Sequence, residues 1–219
     1  MQIATAIVAA AGSGERLGAG EPKALVEVAG RTLLAWGLDA LLAAESVGAI
    51  VVVLPPGVDG DLPVGAERVD GGATRAASVA AGLALVETDL VVIHDAARPF
   101  VSQTLVDAVI RRLDDHPDAH GVIAAAAMTD TIKRAGEDGV IAATEDRETL
   151  WAAQTPQAFR TTALRDAYAQ AGAAVAGATD EAMLVERAGG TVLIEPAPAS
   201  NLKVTTPEDL RLAELLLAQ

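Results

Sequence analysis

Residues 3–25 read IATAIVAAAGSGERLGAGEPKAL. As far as Val8 the run is apolar and rich in β-branched side chains, as in a strand buried on both faces. It then breaks into Gly12, Gly14 and Gly18, with Arg16 among them and Pro22-Lys23 behind. Glycines after a first buried strand let the backbone pass close to a ligand and turn its N–H groups outward, while Arg16 and Lys23 bring charge to the same place. In a parallel sheet that place is the carboxyl edge, where ligands bind. The spacing excludes two familiar alternatives. The third glycine falls one position late for a dinucleotide fingerprint, and the second strand ends in Val53-Leu54-Pro55-Pro56 with no acid for a ribose. No Gly-Lys-Ser/Thr follows, so the loop is not a Walker loop.

Working outward, apolar runs recur at Ile3 to Val8, Ile50 to Leu54, Leu90 to Ile93, Val122 to Ala126 and Thr191 to Ile194. Helical spacing lies between and after them, at Thr32 to Ala44, Thr74 to Val86, Gln103 to Leu113, Thr162 to Ala171, Asp180 to Ala188 and Pro207 to Ala218. This alternation predicts an α/β, Rossmann-like, mostly parallel sheet with helices on both faces, in a single domain spanning 1–219. Ser102 before Gln103, and Thr206 before Pro207-Glu208-Asp209, are helix-start signals. One segment departs from the rhythm. Thr129 to Arg147 has two polar, strand-like arms around Gly136-Glu137-Asp138-Gly139, which predicts a protruding β-hairpin.

Composition narrows the function. A net charge of -14 disfavours nucleic acid and anionic membranes as partners, and two Phe, two Trp and one Tyr leave little for base stacking. There is no cysteine to make a disulfide or thiolate site, and no apolar run reaches the ~18 residues of a membrane span. The expectation is a cytoplasmic protein whose phosphate site is locally basic. After the third strand, His94-Asp95-Ala96-Ala97-Arg98-Pro99 sets a carboxylate at a strand end. There Asp95 could hold Mg²⁺ or another hard divalent cation, or could simply cap a loop or pair with Arg98. His94 reads as a packed strand-end residue.

The AAAGSGERLGAGEPKAL stretch resembles the signature of the sugar-phosphate nucleotidyltransferase superfamily, and HDAARP resembles the corresponding motif of its 2-C-methyl-D-erythritol 4-phosphate cytidylyltransferases. The likeness continues in Gly71-Gly72-Ala73-Thr74-Arg75 with Ser78, Asp130 to Arg134, Asp146-Arg147, Gln154-Thr155-Pro156-Gln157, Thr179-Asp180-Glu181 and Asn201 to Thr205. Thr74 stands where relatives often carry an acidic or other polar residue. The resemblance implies cytidylyl transfer from CTP to methylerythritol phosphate, without a covalent intermediate. It implies that Ala10, Ala11, Gly12, Gly14, Gly72, Ser78 and Ala96 hold the nucleotide, and that Arg16 and Lys23 bind the triphosphate and act catalytically with Arg147 and Lys203. Asp95, Arg98, Thr131, Arg147 and Lys203 would bind the acceptor, with Asp95 also the metal ligand. A homodimer whose sites are completed by the 129–147 arm is expected, because the arm has few large apolar residues to fold back with and yet carries Thr131 and Arg147, which the resemblance assigns to the acceptor; the alternative is an arm folded over its own site in a monomer. The alternatives are a cytidylyltransferase for another polyol phosphate such as ribitol 5-phosphate, and a non-catalytic nucleotide-binding regulator that would have lost Lys23, Asp95 or Lys203.

Overall fold

In the computed structural model, which describes residues 2–18 and 20–217 and of Arg16 the backbone alone, strand β1 (Ala4–Ala9) lies near the middle of a seven-stranded sheet. The chain continues through a short hairpin, β2 (Glu27–Val28) and β3 (Arg31–Thr32), into helix α1 (Leu33–Ala43) and strand β4 (Val47–Leu54). Then come β5 (Glu67–Asp70), α2 (Arg75–Leu83), β6 (Leu90–Asp95), α3 (Gln103–Asp115) and β7 (Gly121–Ala127). The second half holds β8 (Lys133–Ala135), β9 (Ile141–Thr144), β10 (Trp151–Arg160), α4 (Thr161–Ala171), α5 (Glu181–Arg187), β11 (Val192–Pro196) and α6 (Pro207–Leu217).

The sheet order is β11-β7-β10-β6-β1-β4-β5. Parallel pairs join β1 to β4 and β6, β4 to β5, and β7 to β11, so the predicted mostly parallel sheet is present. β10 runs against both β6 and β7. Pattern reading misses this strand because Gln154, Thr155, Pro156 and Gln157 interrupt its apolar run. A proline cannot donate to a ladder, and the β10–β7 register shifts between Ala153 and Gln157. β5 is missed for another reason: it is a four-residue edge strand without a buried residue.

Alternation within the strands builds two cores, because successive side chains point to opposite faces. Ala6 and Val8 of β1, with Leu90 and Val92 of β6, meet Leu38 of α1 and Ile110 of α3. Ile7, Val91 and Ile93 meet Val79 and Leu83 of α2, Leu164 of α4 and Leu184 of α5 on the other face. The cap signals hold at the helix starts. Ser102 accepts the Leu105 N–H, Thr206 accepts that of Asp209, and Asp209 in return accepts the N–H groups of Thr205 and Thr206. β8 and β9 form the expected hairpin, turning at Gly139 with φ +78°, and every residue of the two strands is exposed.

Candidate active site

The glycine loop leaves the carboxyl end of β1 and is clamped by the Glu21-Pro22-Lys23 segment. Gly14 has φ +74°, and a Cβ there would lie 3.1 Å from the Glu21 carbonyl oxygen and 3.2 Å from the Lys23 Cβ. Gly12 accepts the Lys23 N–H at 3.2 Å. Only glycine tolerates both that dihedral and that approach, so Lys23 is folded back over the loop. Ala10 donates its N–H to Val53 and Ala96 donates its own to Ala9, which ties the loop floor to the strand ends and occupies both donors.

Opposite lies the turn before α2. A Cβ on Gly71 would come within 2.4 Å of the Ala11 Cβ, and one on Gly72 within 2.6 Å of the Ala77 Cβ. The buried Ser78 hydroxyl accepts the Gly72 N–H at 3.1 Å and donates to the Thr74 carbonyl at 2.9 Å, so it shapes this turn from within. Between the two loops opens a cavity of about 710 Å³, lined by Ala10, Ala11, Gly12, Gly14, Lys23, Gly72, Ser78, Asp95, Ala96 and Lys203 among others. Predicted residues from five separate stretches of sequence thus share one space. A smaller cavity of about 200 Å³ adjoins it, shares Arg75, Asp95 and Lys203 with it, and adds Arg98 and Gln157.

Charge gathers where the two spaces meet. Asp95 Oδ1 accepts from Arg75 Nε at 2.9 Å and Oδ2 from Lys203 Nζ at 2.6 Å. Burial alone would push the Asp95 carboxyl up, but Arg75 and Lys203 outweigh it and hold the group well below the usual carboxylate range. Arg75 reaches on to Glu181, whose side chain is fully buried. Arg98, also buried, donates to the carbonyls of Asn201 and Ala153, fastening the Lys203 loop and β10 to the end of β6. β10 supplies the floor: Thr155 Oγ1 accepts the Asp95 N–H at 3.0 Å and lies 3.2 Å from His94 Nδ1. Burial pushes the His94 pKa down to about 4, so the imidazole is neutral at pH 7 and is packed as expected.

Two predicted residues are not brought in. Thr131 and Arg147 line neither cavity; both are exposed on the arm, where Arg147 donates to the Thr129 carbonyl at 2.8 Å. The Arg16 side chain lies outside the described residues. Conversely, Arg75 is central here yet absent from the expected site residues. Its membership in the GGATR segment, and that of Glu181 in Thr179-Asp180-Glu181, were the available signals.

Among the described residues a divalent cation finds no cage of protein ligands. Among the described residues no group of three or more His, Asp or Glu side chains could hold a metal, and both oxygens of Asp95 already face cations. Mg²⁺ commonly uses one or two carboxylates together with substrate phosphates. The site therefore fits an ion that arrives on a triphosphate.

Comparison with known proteins bears on the same arrangement. The model of the family described as 2-C-methyl-D-erythritol 4-phosphate cytidylyltransferase matches residues 4–219. Proteins of that name from Stenotrophomonas maltophilia (strain R551-3) and Parasynechococcus marenigrum (strain WH8102) are each 45% identical, over 97% of this chain and 96% of theirs. The crystal structure of 2-C-methyl-D-erythritol 4-phosphate cytidylyltransferase from Thermus thermophilus superposes with a TM-score of 0.85 at 36% identity, covering 100% of both chains.

Proposed function

We infer the working of this pocket from one premise: the chain belongs to the 2-C-methyl-D-erythritol 4-phosphate cytidylyltransferase family. It transfers the cytidylyl group of CTP to 2-C-methyl-D-erythritol 4-phosphate in the non-mevalonate isoprenoid pathway, giving 4-diphosphocytidyl-2-C-methyl-D-erythritol and pyrophosphate. The observation that carries the mechanism is the convergence of Lys23, Lys203, Arg75 and Asp95 on one cavity beside a glycine loop.

An oxygen of the acceptor phosphate attacks the α-phosphorus of CTP in line. The new P–O bond forms as the bond to the bridging oxygen of the β-phosphate breaks, and pyrophosphate leaves with that electron pair. The attacking oxygen is already ionised, so no general base is required. Two anions must approach one another, and the protein's contribution is orientation and charge neutralisation. We assign Lys23 and Arg16 to the triphosphate. The loop of Ala11, Gly12 and Gly14, the turn at Gly72 shaped by Ser78, and Ala96 cradle the nucleoside. Arg98 and Lys203 take the acceptor phosphate from the adjoining space. A Mg²⁺ carried in on the triphosphate would supply further neutralisation there, with Asp95 as its protein ligand.

Thr131 and Arg147 complete the acceptor site from a second subunit. This homodimer is supported by the exposed arm, by its lying away from both cavities of its own chain, and by Val140 and Ile141, 64% and 60% exposed on it. No described helix is long and apolar enough to cross a membrane, and we assign the enzyme to the cytoplasm, where its CTP donor is made. Incubation with CTP, Mg²⁺ and methylerythritol phosphate releases pyrophosphate in step with CTP loss. Absence of release with all three present overturns the assignment, and faster turnover of ribitol 5-phosphate would reassign the acceptor.

A further inference from the structure

Arg75 is the first residue of α2. A guanidinium at that end opposes the helix dipole and meets N–H groups that need acceptors, so helix stability does not account for it. Two carboxylates from distant parts of the chain hold it instead. Glu181 receives Nη1 on both oxygens, at 2.8 and 2.7 Å, is fully buried, and has the Tyr168 hydroxyl 3.2 Å from Oε1. Asp95 receives Nε. The other oxygen of Asp95 goes to Lys203.

Two cations therefore share one carboxylate, but they are held differently. Withdrawing Arg75 would leave the buried Glu181 with the Tyr168 hydroxyl but without its counter-ion, a large cost. Withdrawing Lys203 leaves Asp95 still paired with Arg75, and the Lys203 side chain is 38% exposed at the edge of the cavity. An arriving phosphate takes the cation that is cheaper to detach.

We propose that Arg75, anchored by Glu181, is the positioning residue of the site: it keeps Asp95 neutralised and oriented so that Lys203 is free to exchange Asp95 Oδ2 for the phosphate of the acceptor. The proposal rests on the assignment of Lys203 to that phosphate. Arg75 lines both cavities, and in this proposal it acts through Asp95 and Lys203 rather than by binding the phosphate itself. Without Arg75, the bond left to Asp95 is the one from Lys203, with the buried Arg98 acting on it only through charge, and Asp95 retains Lys203 against the incoming phosphate.

The test is a double-mutant cycle on KM, with the acceptor's Kd measured by calorimetry as a readout independent of turnover. Arg75→Ala raises KM and Kd for methylerythritol phosphate about tenfold, one charge-assisted contact's worth, and leaves KM for CTP within about twofold. Arg75→Lys, which can still pair with Asp95, recovers part of the loss. In a Lys203→Ala background, Arg75→Ala adds almost nothing, because residues acting in one chain of contacts are not additive. Additive losses would mean that Arg75 binds the phosphate itself, and would overturn the proposal. So would an unchanged acceptor KM in Arg75→Ala, or equal rises for both substrates. If Arg75→Ala does not fold, Arg75→Lys carries the same cycle. Failure of the functional reading is distinguishable, since the parent enzyme would then not turn over methylerythritol phosphate at all.

Discussion

The pocket floor and the arm are built on opposite plans. At the floor, Asp95, Thr155, His94, Arg98 and Asn201 are buried and bonded to one another across β6, β10 and the Lys203 loop. On the arm, β8 and β9 are exposed throughout and are held by ladder bonds and by pairs such as Arg134 with Glu145, which in water contribute little. The floor carries its geometry with it; the arm stands exposed, and its proposed place is against a second subunit. Preorganised charge suits the reacting phosphates, where small displacements are costly, whereas an arm proposed to complete a neighbour's site needs only reach and register.

The largest test of the floor is Lys23→Ala, which should lower kcat/KM by about 10²- to 10³-fold with the far-ultraviolet circular dichroism unchanged. Full activity in a folded Lys23→Ala protein would remove Lys23 from the chemistry.

Acid sharpens the contrast next. The pKa of His94 is lowered from 6.5 to about 4 by burial, so the unfolded chain takes up a proton that the folded chain refuses. Stability that is intact above pH 6.5 should therefore fall as the pH drops from 6.5 towards 4, by about 3 kcal/mol in total. Urea midpoints measured across that window should slope less steeply in His94→Gln. Parallel slopes in the two proteins would mean that the floor does not hold His94 neutral.

The arm is tested by Arg147→Ala, expected to raise the acceptor KM about tenfold while leaving that for CTP alone. Mixed with Lys23→Ala subunits and assayed with the acceptor well below its KM, it should return about a quarter of the parent activity, since half of the dimers are hybrids with one intact site in two, against about a twentieth if each arm serves its own chain. Hybrids that form, shown by co-purification of two tags, yet show no more activity than the Arg147→Ala subunits contribute alone would break the idea that the arm serves a partner. The smallest effect is expected from Asp95→Asn, which should move the Mg²⁺ midpoint for activity upward a few-fold. A titration that overlays the parent's would make Asp95 a purely structural counter-ion to Arg75 and Lys203.

Much was legible in the chain because it is written locally. The strand that runs into Gly12, Gly14 and Gly18, the hairpin turn at Gly136 to Gly139, and the caps at Ser102 and Thr206 depend on neighbours within a few residues. Short-range sterics and hydrogen bonding decide them. The glycine loop, Lys23 and Asp95 could be named before it was known that they meet, whereas Lys203 came only with the family resemblance. β10 could not be read, since the polar residues that hide it from an apolar pattern are the ones turned toward the pocket, and their partners at Asp95, Asp180 and Asn201 lie elsewhere in the chain.

What the sequence determined by itself is the alternation of buried strands and helices, and hence which loops gather at one edge of a sheet. What only the tertiary structure decided is who pairs with whom at that edge. The bonds from Arg75 to Asp95 and Glu181 span 20 and 106 residues, and that from Lys203 to Asp95 spans 108. No local propensity carries such information. It arises when packed layers bring distant ends of strands and helices within a few ångströms, where burial makes each unpaired charge costly and so selects its partner.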